Sequence, residues 1–128
     1  MRLLLDTHAL IWWLVDLRRL SRPAHAAISD PDNEVLVSAV SAMEVTTKYR
    51  IGKLPHVGLL ARNFAGEVAA EGFGGLPITL AHGQAAGSLA IQHEDPFDRL
   101  LMAQAIAEKL TLVSNETVFD SSGVSRLW

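Results

Sequence analysis

No cysteine occurs in the chain, which excludes disulfides and thiolate metal sites and suits a reducing compartment. Basic residues do not predominate either. Eleven Lys and Arg stand against 14 Asp and Glu, a net charge of −3, so any attraction to nucleic acid needs a local basic patch. No uninterrupted apolar stretch is long enough to cross a bilayer, and no membrane association is expected. The run from Leu3 to Val15 after Arg2 resembles a signal peptide only superficially. Asp6 and His8 interrupt it, and no small-residue cleavage site follows. The expectation is a mature cytoplasmic protein. Internal repeats, linkers and low-complexity segments are also missing. With 49% apolar and 20% charged residues over 128 positions, the chain reads as one domain, 1–128, with a real core and no disorder.

Four acidic residues sit where packing does not account for them. Asp6 follows the apolar run Leu3-Leu4-Leu5, and Glu44 lies among small and apolar neighbours in Ser41-Ala42-Met43-Glu44-Val45. Asp98 opens the helical stretch Asp98–Ala105, and Glu116 follows Leu112-Val113-Ser114-Asn115. Carboxylates are rarely buried without compensation. Strand ends and helix starts converge on one edge of a parallel sheet, and converging carboxylates call for a cation. Oxygen ligands select a hard ion such as magnesium or manganese.

Strand and helix signals alternate. Strands are expected at 2–6, 34–38, 76–79, 111–114 and 124–128. Helices are expected at 8–15, 22–29 with Ser21 as N-cap, 42–49, 59–70, 80–91 with Thr79 as N-cap, and from 96 to about 110. This alternation implies an α/β protein with a mainly parallel sheet of four or five strands and helices on both faces.

In order along the chain, Leu3-Leu4-Leu5-Asp6-Thr7-His8, Ser38–Glu44, His93-Glu94-Asp95-Pro96-Phe97-Asp98-Arg99, Leu112–Glu116 and Val124–Trp128 resemble the PIN-domain family, and within it the VapC toxins of bacterial toxin–antitoxin pairs. The resemblance implies a three-layer α/β/α sandwich. It implies a magnesium-dependent endoribonuclease, with manganese as a substitute, held silent by a VapB-type antitoxin and commonly homodimeric. The family's acidic positions fall on Asp6, Glu44, Asp98 and Glu116. Many members carry Asp where this chain has Glu116. The longer side chain either acts through water or engages a second ion once RNA is present. Asp95, three residues before Asp98, is a further possible ligand.

Hydrolysis of a phosphodiester needs a nucleophile made from water and relief of charge on the departing oxygen, which one or two divalent ions supply. Asp6 and Asp98 are expected as direct ligands, with Glu44 and Glu116 completing the shell. Simpler roles compete. Asp6 suits an N-cap, Asp95 a cap before Pro96, and Ser41-x-x-Glu44 a capping box, which is the preferred reading of Ser41. Thr7 has a hydroxyl that could orient a ligand or a water, and Asn115 either contacts phosphate or fixes its turn. Lys48, Arg50, Lys53 and Arg99 are candidate phosphate contacts. The histidines lack metal-ligand spacing, and His8 and His93 receive no catalytic role. Trp12 and Trp13 are adjacent, so one is expected in the core and the other on a groove or interface. A haloacid-dehalogenase-type phosphatase would need Asp where His8 stands, and a response-regulator receiver would need a late Lys that Ser114-Asn115-Glu116 does not provide. A non-catalytic RNA- or peptide-binding module is the remaining alternative.

Overall fold

The computed structural model describes residues 1–128. Five strands form one sheet: β1 (Arg2–Leu5), β2 (Glu34–Ser38), β3 (Gly74–Leu76), β4 (Thr111–Val113) and β5 (Ser125–Leu127). All pairings are parallel, in the order β3-β2-β1-β4-β5. The chain therefore builds outward from β1 on one side and then crosses to the other. That reversal between β1 and β4 makes a crevice outside the carboxyl ends of the strands, where ligands of such sheets bind.

Seven α-helices connect the strands: α1 (Thr7–Val15), α2 (Arg22–Ser29), α3 (Ala39–Arg50), α4 (Gly58–Arg62), α5 (Phe64–Ala70), α6 (Leu80–Ser88) and α7 (Pro96–Ala107). The strands read as unbroken apolar runs because both faces are covered. Leu3, Leu5, Val35, Val37 and Val113 pack toward Leu10, Ile11, Ile28, Leu60 and Val68 of α1, α2, α4 and α5. Leu4, Leu36 and Leu112 point the other way, against Leu101, Met102 and Ala105 of α7 and the buried Phe119. This is the expected α/β/α sandwich.

Several element boundaries differ from expectation for identifiable reasons. Helix α3 starts at Ala39 because the Ser38 hydroxyl accepts the Val40 N–H at 3.0 Å; Ser41 is inside the helix and caps nothing. The stretch expected as one helix, 59–70, is two, parted at Asn63 (φ −143°, ψ 56°). Strand β3 uses Gly74 and Gly75 rather than the β-branched Ile78 and Thr79. Gly74 pairs with Leu36, and a Cβ there would approach the Leu36 side chain to 2.8 Å. Helix α6 stops at Ser88, and α7 ends at Ala107 just before Lys109, whose φ of 55° is left-handed. The Leu110 N–H then bonds back to the Ala105 carbonyl at 2.8 Å, closing the helix end.

Candidate active site

At the crevice the four acidic residues arrive from four separate segments. Asp6 ends β1 and N-caps α1, its Oδ1 accepting the Ala9 N–H at 2.7 Å. Glu44 comes from α3, Asp98 from the first turn of α7, and Glu116 from the turn after β4. Together with Thr7, His8, Lys48 and Asp95 they line a small hollow of about 60 Å³ with no apolar side chain in its wall. The cap reading and the site reading of Asp6 are thus compatible: one oxygen of the carboxylate serves the helix, and the residue still borders the hollow.

Burial makes these charges costly. Asp6 is 4% exposed and Glu44 5%. Desolvation pushes the Asp6 carboxyl up to about 6; the Ser114 hydroxyl, the Ala9 N–H and His8 oppose the rise, and Glu116 adds to it. Asp98 is also raised, first by burial and further by Asp95 and Glu116, against the hydrogen bond from His93. Glu44 is held at both oxygens. Thr7 Oγ1 donates to Oε1 at 2.6 Å, and Lys48 Nζ donates to Oε2 at 2.5 Å. Ser41 Oγ lies 3.0 Å from Thr7 Oγ1, so a hydroxyl relay runs from Ser41 through Thr7 to Glu44. Burial alone would lower the Lys48 ammonium, yet Glu44 and the charges of Asp95 and Asp98 raise it on balance.

Other residues singled out in the sequence fall into place differently. Asp95 Oδ1 accepts the N–H groups of Phe97 and Asp98 at 2.9 and 3.2 Å, an N-cap with Pro96 at the first helical position. Arg99 is no phosphate contact. All five of its N–H donors point at carbonyl oxygens of Ala86, Gly87, Leu89, Ile91 and His93, at 2.8–3.3 Å, and so satisfy the C-terminal end of α6 and tie down the following loop. Asn115 is exposed and is not among the residues lining the hollow.

Two participants lacked a sequence signal. His93, which receives no role from the sequence, has its Nε2 2.7 Å from Asp98 Oδ2. Ser114 is fully buried beside Asp6, and its hydroxyl accepts the Glu116 N–H at 3.0 Å. Both follow from loop geometry; the nearness of His93 to Asp98 in sequence was the one available hint.

The donor set is all oxygen and acidic, with the Lys48 ammonium already resting on it. That chemistry fits a hard divalent ion. As the side chains stand, no three acidic or imidazole groups converge at ligand distance: Glu44 faces Lys48 and Asp98 faces His93.

A parallel sheet with an acid-lined hollow at its switch point defines an α/β protein with a candidate site at the carboxyl edge of its sheet. The sequence pattern of the PIN domain matches residues 3–123, and the chain belongs to that family. Its fold is similar to that of VapBC2 from Rickettsia felis, solved bound to a DNA fragment from its promoter, at 15% identity and a TM-score of 0.73, covering 99% of this chain and 98% of the other. It is also similar to VapBC-1 from nontypeable Haemophilus influenzae (15% identity, TM-score 0.70, covering 99% and 97%) and to FitAcB from Neisseria gonorrhoeae (18%, 0.68, covering 98% and 96%). Comparison with curated proteins finds no relative.

Proposed function

We propose that this protein is a magnesium-dependent endoribonuclease, a VapC-type toxin that a VapB-type antitoxin keeps silent. The observation that carries the proposal is the hollow itself: four acidic residues from four chain segments, two of them almost wholly buried, line it at the switch point of a PIN-family sheet. The similar folds of VapBC and FitAcB complexes, at identities below one in five, support the toxin reading by analogy.

Asp6 and Asp98 would hold the ion, with Glu44 and Glu116 completing its surroundings directly or through water. Manganese would substitute. When bound, such an ion activates water and offsets charge on the scissile phosphate and the leaving oxygen. The residues of the chain do the rest. The Ala9 N–H and Ser114 orient Asp6. Thr7 and Lys48 fix Glu44, and Lys48 places a positive charge where an RNA phosphate would approach. His93 orients Asp98. Action in the cytoplasm as a homodimer belongs to the same reading, and no helix is long and apolar enough to cross a membrane.

The antitoxin reading has a physical basis in the same hollow. An acidic pocket accepts an arginine side chain as readily as an ion, and the guanidinium pairs with carboxylates through two hydrogen bonds. An antitoxin Arg among Asp6, Glu44 and Asp98 would displace the ion. The test of the activity is cleavage of single-stranded RNA in magnesium, expected for the native chain and absent in Asp6→Asn. A non-catalytic module would bind RNA equally well in both and cut with neither. The test of inhibition is an RNase assay after co-purification with the product of the neighbouring gene. A complex that cuts as fast as the free chain would sink that part of the reading.

A further inference from the structure

We propose that a single-stranded RNA segment leaves the acidic hollow along one side of α1, with its bases stacking on Trp12 and Arg19. This rests on the ribonuclease reading above and assigns the path taken by the substrate next to the scissile phosphate.

Two chain segments run side by side from the hollow to a second depression of about 500 Å³. Helix α1 with its caps carries Asp6, Thr7 and His8 at the hollow, then Trp12, Val15 and Asp16 at the depression, where Arg19 joins them from the 3-10 turn Leu17–Arg19 that follows. From α3, Lys48 lines the hollow, and the loop beyond it brings His56 to the depression. The rings form a series. His8 lies 5.6 Å from Trp12 and Trp12 lies 5.7 Å from Trp128, between ring centroids, and the Arg19 guanidinium is 5.8 Å over the Trp12 ring. Its neighbour Trp13 is built differently. It donates to Glu71 at 3.2 Å and packs on His25 and Phe73, which makes it part of the scaffold.

Charge favours RNA as the occupant. The chain is acidic as a whole and the hollow more so, so a polyanion needs cations beside it. Arg18 and Arg19 share the single carboxylate of Asp16, at 3.5 and 3.7 Å, and their side chains remain 94% and 65% exposed. Asp16 and Arg19 in the wall of the depression offset one another, and Arg18 beside it, on the same Asp16, supplies the surplus positive charge. Aromatic rings and guanidinium planes flanked by cations are how single strands are held without sequence readout, since every base has a face to stack. A duplex has its bases occupied and gains nothing from such a track.

The experiment uses the full chain carrying Asp6→Asn, so that magnesium can be present without cleavage, and a fluorescent oligouridine as probe. Trp12→Ala should weaken oligouridine binding about tenfold or more, while Trp12→Phe restores most of it. Arg19→Ala, at an exposed position that does not endanger folding, should weaken binding and flatten its salt dependence. In the cleaving chain, Trp12→Ala should raise KM with little change in kcat. Unchanged Kd and KM in both Trp12→Ala and Arg19→Ala overturn the proposal. So does an equal loss for duplex RNA, or a loss confined to binding of an antitoxin-type protein. If the native chain cuts no RNA but binds oligouridine through Trp12, the nuclease reading fails and the stacking track stands. If it cuts and both variants bind normally, the reverse holds.

Discussion

Gln104 and Asp6 are both almost wholly buried, yet their surroundings differ in kind. Gln104 belongs to a closed network. Its Oε1 accepts the Ser38 hydroxyl at 2.5 Å, and its amide nitrogen reaches the Pro77 carbonyl at 3.2 Å and His82 Nδ1 at 3.4 Å. The Thr79 N–H also points at His82 Nδ1, which leaves Nε2 to donate to Glu108 at 2.9 Å. Donors and acceptors are balanced there, and the network ties the segment after β3 and helix α6 to α7 and the end of β2. The acidic hollow is unbalanced. Burial raises the Asp6 and Asp98 carboxyls, the charge of Glu116 adds to both, and Lys48 answers only part of the surplus. Balanced polar burial makes structure; a surplus of one sign makes a place for a ligand of the other.

The comparison breaks or sharpens under four tests. The largest effect is expected on activity. Asp6→Asn should lower RNA cleavage by about 10²–10³-fold or more, as when a group stabilising transition-state charge is lost. Asn is as good an N-cap as Asp, so the helix start should survive. Gln104→Leu should leave the rate per folded molecule unchanged. If Gln104→Leu alone abolishes cleavage in a folded chain, the division between the two clusters is wrong.

The next effect is on stability against pH. The folded Asp6 carboxyl is raised from 3.8 to about 6. Between those values the folded chain keeps a proton that the unfolded chain has lost, so stability falls as pH rises through that window. The shift is worth about 3 kcal/mol at most. In metal-free buffer, Asp6→Asn should therefore gain stability over the native chain as pH goes from 4 to 6, measured by urea unfolding. A constant difference across that range would mean that Asp6 is not strained by burial.

For the closed network the sign reverses. Gln104→Leu strands the Ser38 hydroxyl and removes a contact to His82, and should cost about 1–3 kcal/mol of stability at any pH between 6 and 8. A neutral result in thermal unfolding would show that the network contributes nothing net. The smallest effect is that of the ion. Magnesium at about ten times its Kd should stabilise the native chain by about 1.4 kcal/mol, and Gln104→Leu by the same increment. Asp6→Asn should show no shift. A shift that persists in Asp6→Asn would place the ion elsewhere.

Read as a sequence, the chain determines its fold class and the identity of its acidic residues. Periodicity and caps are local properties, so the alternation of strands and helices, the N-caps Ser21 and Thr79, and the doubly covered runs Leu3–Leu5 and Val35–Val37 could be recognised without coordinates. Carboxylates out of keeping with their apolar neighbours pointed to the hollow for the same reason. Side-chain partners are not local, and only the tertiary structure decides them. It makes Ser41 a relay to Thr7 rather than a cap, and engages every donor of Arg99 with carbonyl oxygens. It brings His93 onto Asp98 and Ser114 against Asp6. It also separates Trp12 from Trp13, and sets β3 at Gly74, where a Cβ would crowd the Leu36 side chain. Each of these depends on what another segment places within about 3–6 Å, a distance set by packing and invisible in the order of residues.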